Sequence, residues 1–160
     1  MILGKKIICL IPARGGSKGI KLKNLKKIKN KSLLEMTGIF AKECNFIDSI
    51  FVNSDNKKIL NLSKNIGLKT IKRKKNLSGD RISDYQVISS SLNYLKDLDL
   101  NYDYLIYLQP TSPFRVKKDL LKSLKKIILN KSNSIWSVTK VIDKYHPYKI
   151  LENDKDSFLK

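Results

Sequence analysis

The chain has 160 residues, two cysteines and a formal net charge of +19. That length is one domain's worth, enough to bury a core without disulfide or metal staples. No run approaches the ~18 apolar residues of a membrane-crossing helix. The 33 basic residues are spread along the whole chain, and only Arg14, Arg73, Arg81 and Arg115 are arginine. The charge therefore reads as a compositional preference for lysine, and nucleic acid is not the expected partner. In such a chain an arginine marks a place that needs a planar, two-pronged donor.

In chain order, the run KIICLI at 6–11 predicts a strand buried on both faces. Pro12 and Arg14 interrupt it too early for a signal peptide. Residues 32–44 carry apolar side chains at helical spacing, with Ser32 as N-cap and Glu35 three residues on. SIFVNS at 49–54 predicts a second strand. A helix over 55–67 follows, capped by Asp55 and closed by Gly67. LKTIKR is a short third strand, SGD at 78–80 a turn, and an amphipathic helix starts at Ser83. YDYLIYL at 102–108 is another strand, QPTSPFR a loop, 117–130 a helix and 134–141 a last strand. Strands alternating with helices predict an α/β fold, a mainly parallel sheet flanked by helices, in a single domain over 1–160. Cys9 and Cys44 lack metal-ligand spacing and are expected as core residues of a cytoplasmic protein.

Open parallel sheets bind ligands beyond the carboxyl ends of their strands. Three unusual segments fall there: PARGGSKG after the first strand, NSD after the second and QPTSPFR after the 102–108 strand. The first has the makings of an anion loop, with glycines that bring backbone N–H groups close and cations at Arg14, Lys18 and Lys23. It is neither a P-loop, since Lys18 precedes Gly19, nor a G-x-G-x-x-G fingerprint.

The longer string IPARGGSKGIKLKNL resembles the nucleotide-binding signature of the CMP-sialic acid synthetases, or acylneuraminate cytidylyltransferases, close to I-P-A-R-x-x-S-K-x-x-x-x-K-N. FVNSD, KRKKNLSGDRIS, YLQPTSPFR and the stretch around His146-Pro147 resemble later motifs of that family in order and spacing. The resemblance covers nearly the whole chain. It implies a Rossmann-like nucleotide-diphospho-sugar transferase fold. It also implies transfer of CMP from CTP to the anomeric hydroxyl of an acidic nine-carbon sugar, with release of pyrophosphate and Mg²⁺ assisting. By the same resemblance Arg14, Lys18 and Lys23 are the catalytic cations over the triphosphate, and Gly15, Gly16 and Ser17 hold its oxygens. Asn24 lies near the nucleotide, Arg73 and Ser83 line the base pocket, and Gln109 faces the acid sugar. Arg115 is matched too, but could equally cap the next helix. His146, the lone histidine, is read as part of a proline-defined turn.

The family's members run longer. The part beyond Lys160 would carry the dimerisation extension, some of the sugar pocket and a late D-x-D pair for the metal. The chain is thus expected to be C-terminally truncated, to bind nucleotide and, alone, to turn it over slowly. Asp154 and Asp156 have D-x-D spacing but sit in the polar string LENDKDS, a solvated turn, so no metal ligand is assigned. Asp80 and Asp55 would hold at most a weak Mg²⁺ through water. The full-length family implies a homodimer. The alternatives are a related cytidylyltransferase for legionaminic, pseudaminic or deoxyoctulosonic acid, or an inactive nucleotide- or RNA-binding fragment.

Overall fold

The computed structural model describes residues 1–138. Met1–Asp119 form one compact unit, and a second begins at Leu120. The first unit holds strands β1 (Ile7–Pro12), β2 (Lys27–Ile28), β3 (Lys31–Ser32), β4 (Ser49–Ser54), β5 (Lys69–Lys72) and β6 (Tyr104–Tyr107). Its helices are α1 (Leu33–Glu43), α2 (Lys57–Asn65) and α3 (Asp84–Asp97), and α4 (Lys117–Leu129) starts at its end. The main sheet is parallel throughout, in the order β5-β4-β1-β6.

The central strand β1 is paired on both sides, from Ile8 opposite Ser49 to Pro12 opposite Asn53, and from Ile7 opposite Tyr104 to Leu10 opposite Tyr107. Its run is continuously apolar because both faces are covered. Ile8 and Leu10 join Phe51, Ile71 and Leu95 of α3 in one core layer, with Ile88 and Leu92 packed against it. Ile7, Cys9 and Ile11 alternate to the opposite face and are fully buried. α1 packs against β1 and β4 there, and α2 against β4 and β5. Gly38 of α1 sets that spacing, since a Cβ would stand 2.8 Å from Leu68 Cδ1. Cys9 and Cys44 are buried free thiols, and burial pushes both up in pKa.

The caps follow the sequence closely, with one correction. Ser32 caps α1 in a reciprocal capping box with Glu35. Gly67, at φ +74, closes α2, with Leu68 N–H donating to the Ser63 carbonyl. The N-cap of α2 is Asn56 and not Asp55. Asn56 Oδ1 accepts from the N–H groups of Lys58 and Ile59 at 2.9 and 3.3 Å. Asp55 lies one residue too early to reach them. A small antiparallel hairpin, β2–β3, is also present, with strands too short to show a period in the sequence.

In the second unit, α4 carries Leu120, Leu121, Leu124, Ile127 and Ile128 at helical spacing. Residues 134–138, expected to open a last strand, are irregular, with Trp136 and Val138 exposed. Residues 139–141, His146, Asp154 and Asp156 lie outside the described residues. Among the described residues no helix is long and apolar enough to cross a membrane.

Two carboxylates hold the start of β1. Asp48 accepts from Ile7 N–H at 2.7 Å and the Met1 ammonium at 2.8 Å, and Asp103 accepts from Lys6 N–H at 2.8 Å and Lys5 Nζ at 2.9 Å. The backbone N–H bonds, and then the ammonium groups, hold both carboxyls below the ordinary carboxylate range. Their folded pKa is lowered, so their stabilisation is present above the unfolded value of about 3.9 and is lost as pH falls through the folded value. Asp48→Ala leaves the N–H of fully buried Ile7 without that partner and should destabilise the fold by about 1–3 kcal/mol at neutral pH. The difference from the parent protein should shrink on acidification, as read from urea midpoints at successive pH values.

Candidate active site

The chain leaves β1 at Pro12, β4 at Ser54, β5 at Lys72 and β6 at Tyr107, all at one end of the sheet. β1 and β6 are neighbours there, although β4 and β5 intervene in sequence. A cavity of about 650 Å³ lies at that end of the sheet, among the loops that leave the strands. Arg14, Ser17, Lys18, Lys23 and Asn24 line it from the first loop, Arg73 from beyond β5, and Tyr107 and Gln109 from β6 and its exit. Leu77, Asp80, Ile82 and Asp84 complete the wall from the segment that enters α3.

Most of the residues expected at a nucleotide site thus share one cavity. Three do not line it. Gly15 gives its N–H to Asp55 Oδ1 at 2.9 Å, and a Cβ there would meet the Asn56 side chain at 2.8 Å. Its role is close approach of the loop to the start of α2. Gly16 has open space around it and is not on the cavity wall. Ser83, expected in the base pocket, is the N-cap of α3. Its hydroxyl accepts from Gln86 N–H while Gln86 Oε1 accepts from Ser83 N–H. Its neighbours Ile82 and Asp84 line the cavity in its place.

Arg73 is only 7% exposed. Its Nε donates to Asn53 Oδ1 and its Nη2 to the Asn53 carbonyl. Asn53 Nδ2 in turn donates to Ser91 Oγ at 2.8 Å, and Ser91 Oγ to the Val87 carbonyl. Burial lowers the guanidinium's pKa, while Tyr107, Asp55 and Asp84 favour its charge. A buried cation held by neutral amide oxygens retains its charge for an anionic partner. Asn24, 5% exposed, donates to the Arg14 carbonyl at 3.1 Å and so shapes the first loop from within. Arg115 is not on the wall. Its Nη2 donates to the Gln109 carbonyl, and its Nη1 is buried with no partner among the described residues. It braces the loop that carries Gln109.

Asp80 bridges two of the loop cations, with Oδ1 at 2.8 Å from Arg14 Nη1 and Oδ2 at 2.6 Å from Lys18 Nζ. Those bonds, with Lys18 first, hold its carboxyl below the ordinary range. Lys18 is 81% exposed in its side chain, so the pair is screened and weak. A carboxylate in that position occupies donors that a phosphate would use.

Residues 8–156 match the family model described as Cytidylyltransferase. The chain belongs to the cytidylyltransferase family. It is 33% identical over 136 residues to a pseudaminic acid cytidylyltransferase of Campylobacter jejuni, covering 84% of this chain and 58% of that protein. It is 32% identical over 136 residues to an N-acylneuraminate cytidylyltransferase of Escherichia coli, covering 84% of this chain and 32% of that one. The chain thus spans little more than half of the first relative and a third of the second. Among solved structures, it is similar to CMP:2-keto-3-deoxy-manno-octonic acid synthetase complexed with CTP, at a TM-score of 0.69 and 20% identity, over 80% of this chain and 49% of that one. It is also similar to 4-diphosphocytidyl-2C-methyl-D-erythritol synthase from Anaerococcus prevotii, at a TM-score of 0.63 and 20% identity, over 98% of this chain and 63% of that one. These structural likenesses show the fold, and it is the nucleotidyltransferase fold that the motifs imply.

The cytidylyltransferase motifs singled out Arg73 but not what fixes it. Asn53 and Tyr107 lie inside matched motifs, FVNSD and YLQPTSPFR, but neither was given a role, and Ser91 and Asp84 lie outside them. Only the fold joins Asn53 to Ser91 and brings Tyr107 and Asp84 to the cavity wall. Among the described residues there is no group of three or more His, Cys, Asp or Glu side chains that could hold a metal.

If Asp80 competes with phosphate for Arg14 and Lys18, Asp80→Asn should tighten binding of inorganic pyrophosphate by a factor of about two to five. Calorimetric titration of the two proteins at equal ionic strength measures this. Weaker binding in the variant would show that Asp80 aligns the two cations rather than masking them.

Proposed function

We propose that this chain carries the nucleotide-binding part of a cytidylyltransferase that transfers CMP from CTP to the anomeric hydroxyl of a nonulosonic acid of the sialic type. In the reaction the sugar oxygen forms a bond to the α-phosphorus, the bond from the α-phosphorus to the bridging oxygen breaks, and pyrophosphate leaves. The observation that carries the reading is the convergence of Arg14, Lys18, Lys23 and Arg73 with Gln109 on one cavity at the carboxyl end of a parallel sheet. Such transfer depends mainly on alignment and charge neutralisation. Arg14, Lys18 and Lys23 suit the triphosphate, as mobile donors on a loop shaped by Asn24. Arg73, held by Asn53, suits a fixed anionic or acceptor group of the nucleotide. Gln109 suits the acid sugar. The family resemblance brings Mg²⁺, which would supply charge neutralisation at the phosphates.

A second acid, pseudaminic, is favoured by the 33% identity to the Campylobacter jejuni relative. The deciding assay follows pyrophosphate release from CTP with N-acetylneuraminic, legionaminic, pseudaminic and deoxyoctulosonic acids in parallel. Release with a nine-carbon acid and not with the eight-carbon one supports the reading, and failure of the chain to bind CTP in calorimetric titration counts against it.

Two variants test the nucleotide end. Lys23→Ala removes a charge-assisted phosphate contact worth about 1.5–3 kcal/mol and should weaken CTP binding roughly tenfold or more. Arg73→Lys replaces a fork with a point charge and loses the paired contact to Asn53, so it should weaken CTP binding about as much. Arg115→Lys should do less, because Arg115 touches the loop backbone and not the cavity. Equal losses at Arg73 and Arg115 in calorimetric titration would contradict this assignment.

A further inference from the structure

The wall between α3 and β6 carries a carboxylate that the proposed chemistry leaves unused. Asp84 is the first residue of α3, directly after the N-cap Ser83. Its Oδ1 accepts from the Tyr107 hydroxyl at 2.8 Å and its Oδ2 from Gln109 Nε2 at 2.8 Å. All three side chains line the cavity. Ser83 and Gln86 already cap the helix, so Asp84 is not needed for that purpose.

The consequence lies in what remains on offer. A primary amide can present either its oxygen or its NH₂ group, and nothing intrinsic to glutamine decides which. A carboxylate only accepts, so the contact with Asp84 requires the NH₂ side of Gln109 and leaves Oε1 for other partners. Tyr107 is in the same position. Burial, and then the hydrogen bond to Asp84, pushes its phenol pKa up, so the proton stays on and points at Asp84. The phenol oxygen keeps its lone pairs. Arg73, the cation felt by both Tyr107 and Asp84, has its Nε and Nη2 committed to Asn53. The acceptors this wall presents are therefore Gln109 Oε1 and the Tyr107 oxygen, beside the second N–H of Gln109 Nε2.

We propose that Asp84 is a positioning residue: by accepting from the Tyr107 hydroxyl and from one N–H of Gln109 Nε2 it fixes which way both groups face, so that Gln109 Oε1 and the Tyr107 oxygen are presented to a hydroxyl or amide N–H of the sugar. The proposal rests on the reading that Gln109 meets the acid sugar, and it names which part of that sugar Gln109 meets. With asparagine at position 84 both amides could turn over, and the wall would no longer discriminate.

The test begins on the ligand-free full chain. The sequence has only two glutamines, Gln86 and Gln109, so selective ¹⁵N-glutamine labelling isolates their side-chain resonances from those of the asparagines. In Asp84→Asn the Gln109 amide protons should shift and exchange with solvent at least threefold faster. Those of Gln86, which report the capping box of α3, should stay in place. Unchanged Gln109 resonances, or equal movement of Gln86, would overturn the proposal. In turnover assays with N-acetylneuraminic acid, Asp84→Asn should raise KM for the sugar about tenfold, keep KM for CTP within about twofold, and add nothing in a Gln109→Ala background. A rise in KM for CTP of the same size, or a full extra loss in the Gln109→Ala background, would likewise overturn it. If the parent protein binds no CTP, the functional reading fails, and the resonances still decide the role of Asp84.

Discussion

A central parallel strand with a neighbour on each side governs this molecule. β1 makes hydrogen bonds to β4 and to β6 in the same direction, so its residues must be apolar on both faces. Parallel pairing also sends every connection over the top or bottom of the sheet. Because β6 joins β1 on the side opposite β4, the loops leaving all four strands gather at one edge of the sheet, and the cavity lies among them. The apolar strand thus explains both the core and the position of the polar cavity.

Electrostatics in the cavity is a matter of which cations are already engaged. Arg73 is buried and held by an amide that is itself anchored to Ser91. Fixing a guanidinium this way avoids reorganisation when an anion arrives. Arg14 and Lys18 are paired with Asp80 across the mouth of the cavity, through exposed groups that exchange partners readily. The large net charge of the chain plays little part in this contrast, because most lysines lie on scattered exposed positions. Burial and partner chemistry separate the site's cations from the rest.

The opposite wall has its own logic. Asp84, Tyr107 and Gln109 form a closed set in which one acceptor-only group dictates the orientation of two amphoteric ones. Gln109 is supported from behind as well, since Arg115 holds its carbonyl. Its backbone and its side-chain amide are thus fixed by separate partners. Relatives with pseudaminic and N-acylneuraminic acids in their names share the cytidylyltransferase family with this chain.

The sequence by itself determined the parallel α/β class, the order of strands and helices through α4 apart from the β2–β3 hairpin, the cap at Ser32, the start of α3 at Ser83, and the loop holding Arg14, Ser17, Lys18 and Lys23. Periodicity, capping and glycine placement act over a few neighbouring residues and so are written locally. The exceptions show where locality ends. Asp55 looked like the cap of α2 because carboxylates favour that position, but the loop after β1 draws it to the Gly15 N–H. Ser83 carried a motif match, yet its hydroxyl is engaged by Gln86 in its own helix. Tertiary structure alone decided that Asn53 would hold Arg73, that Asp80 would bridge Arg14 and Lys18, and that Asp84 would orient Tyr107 and Gln109. Each of those contacts joins residues more than ten positions apart, and each exists only because parallel strands bring their carboxyl ends, and the loops beyond them, to one edge of the sheet.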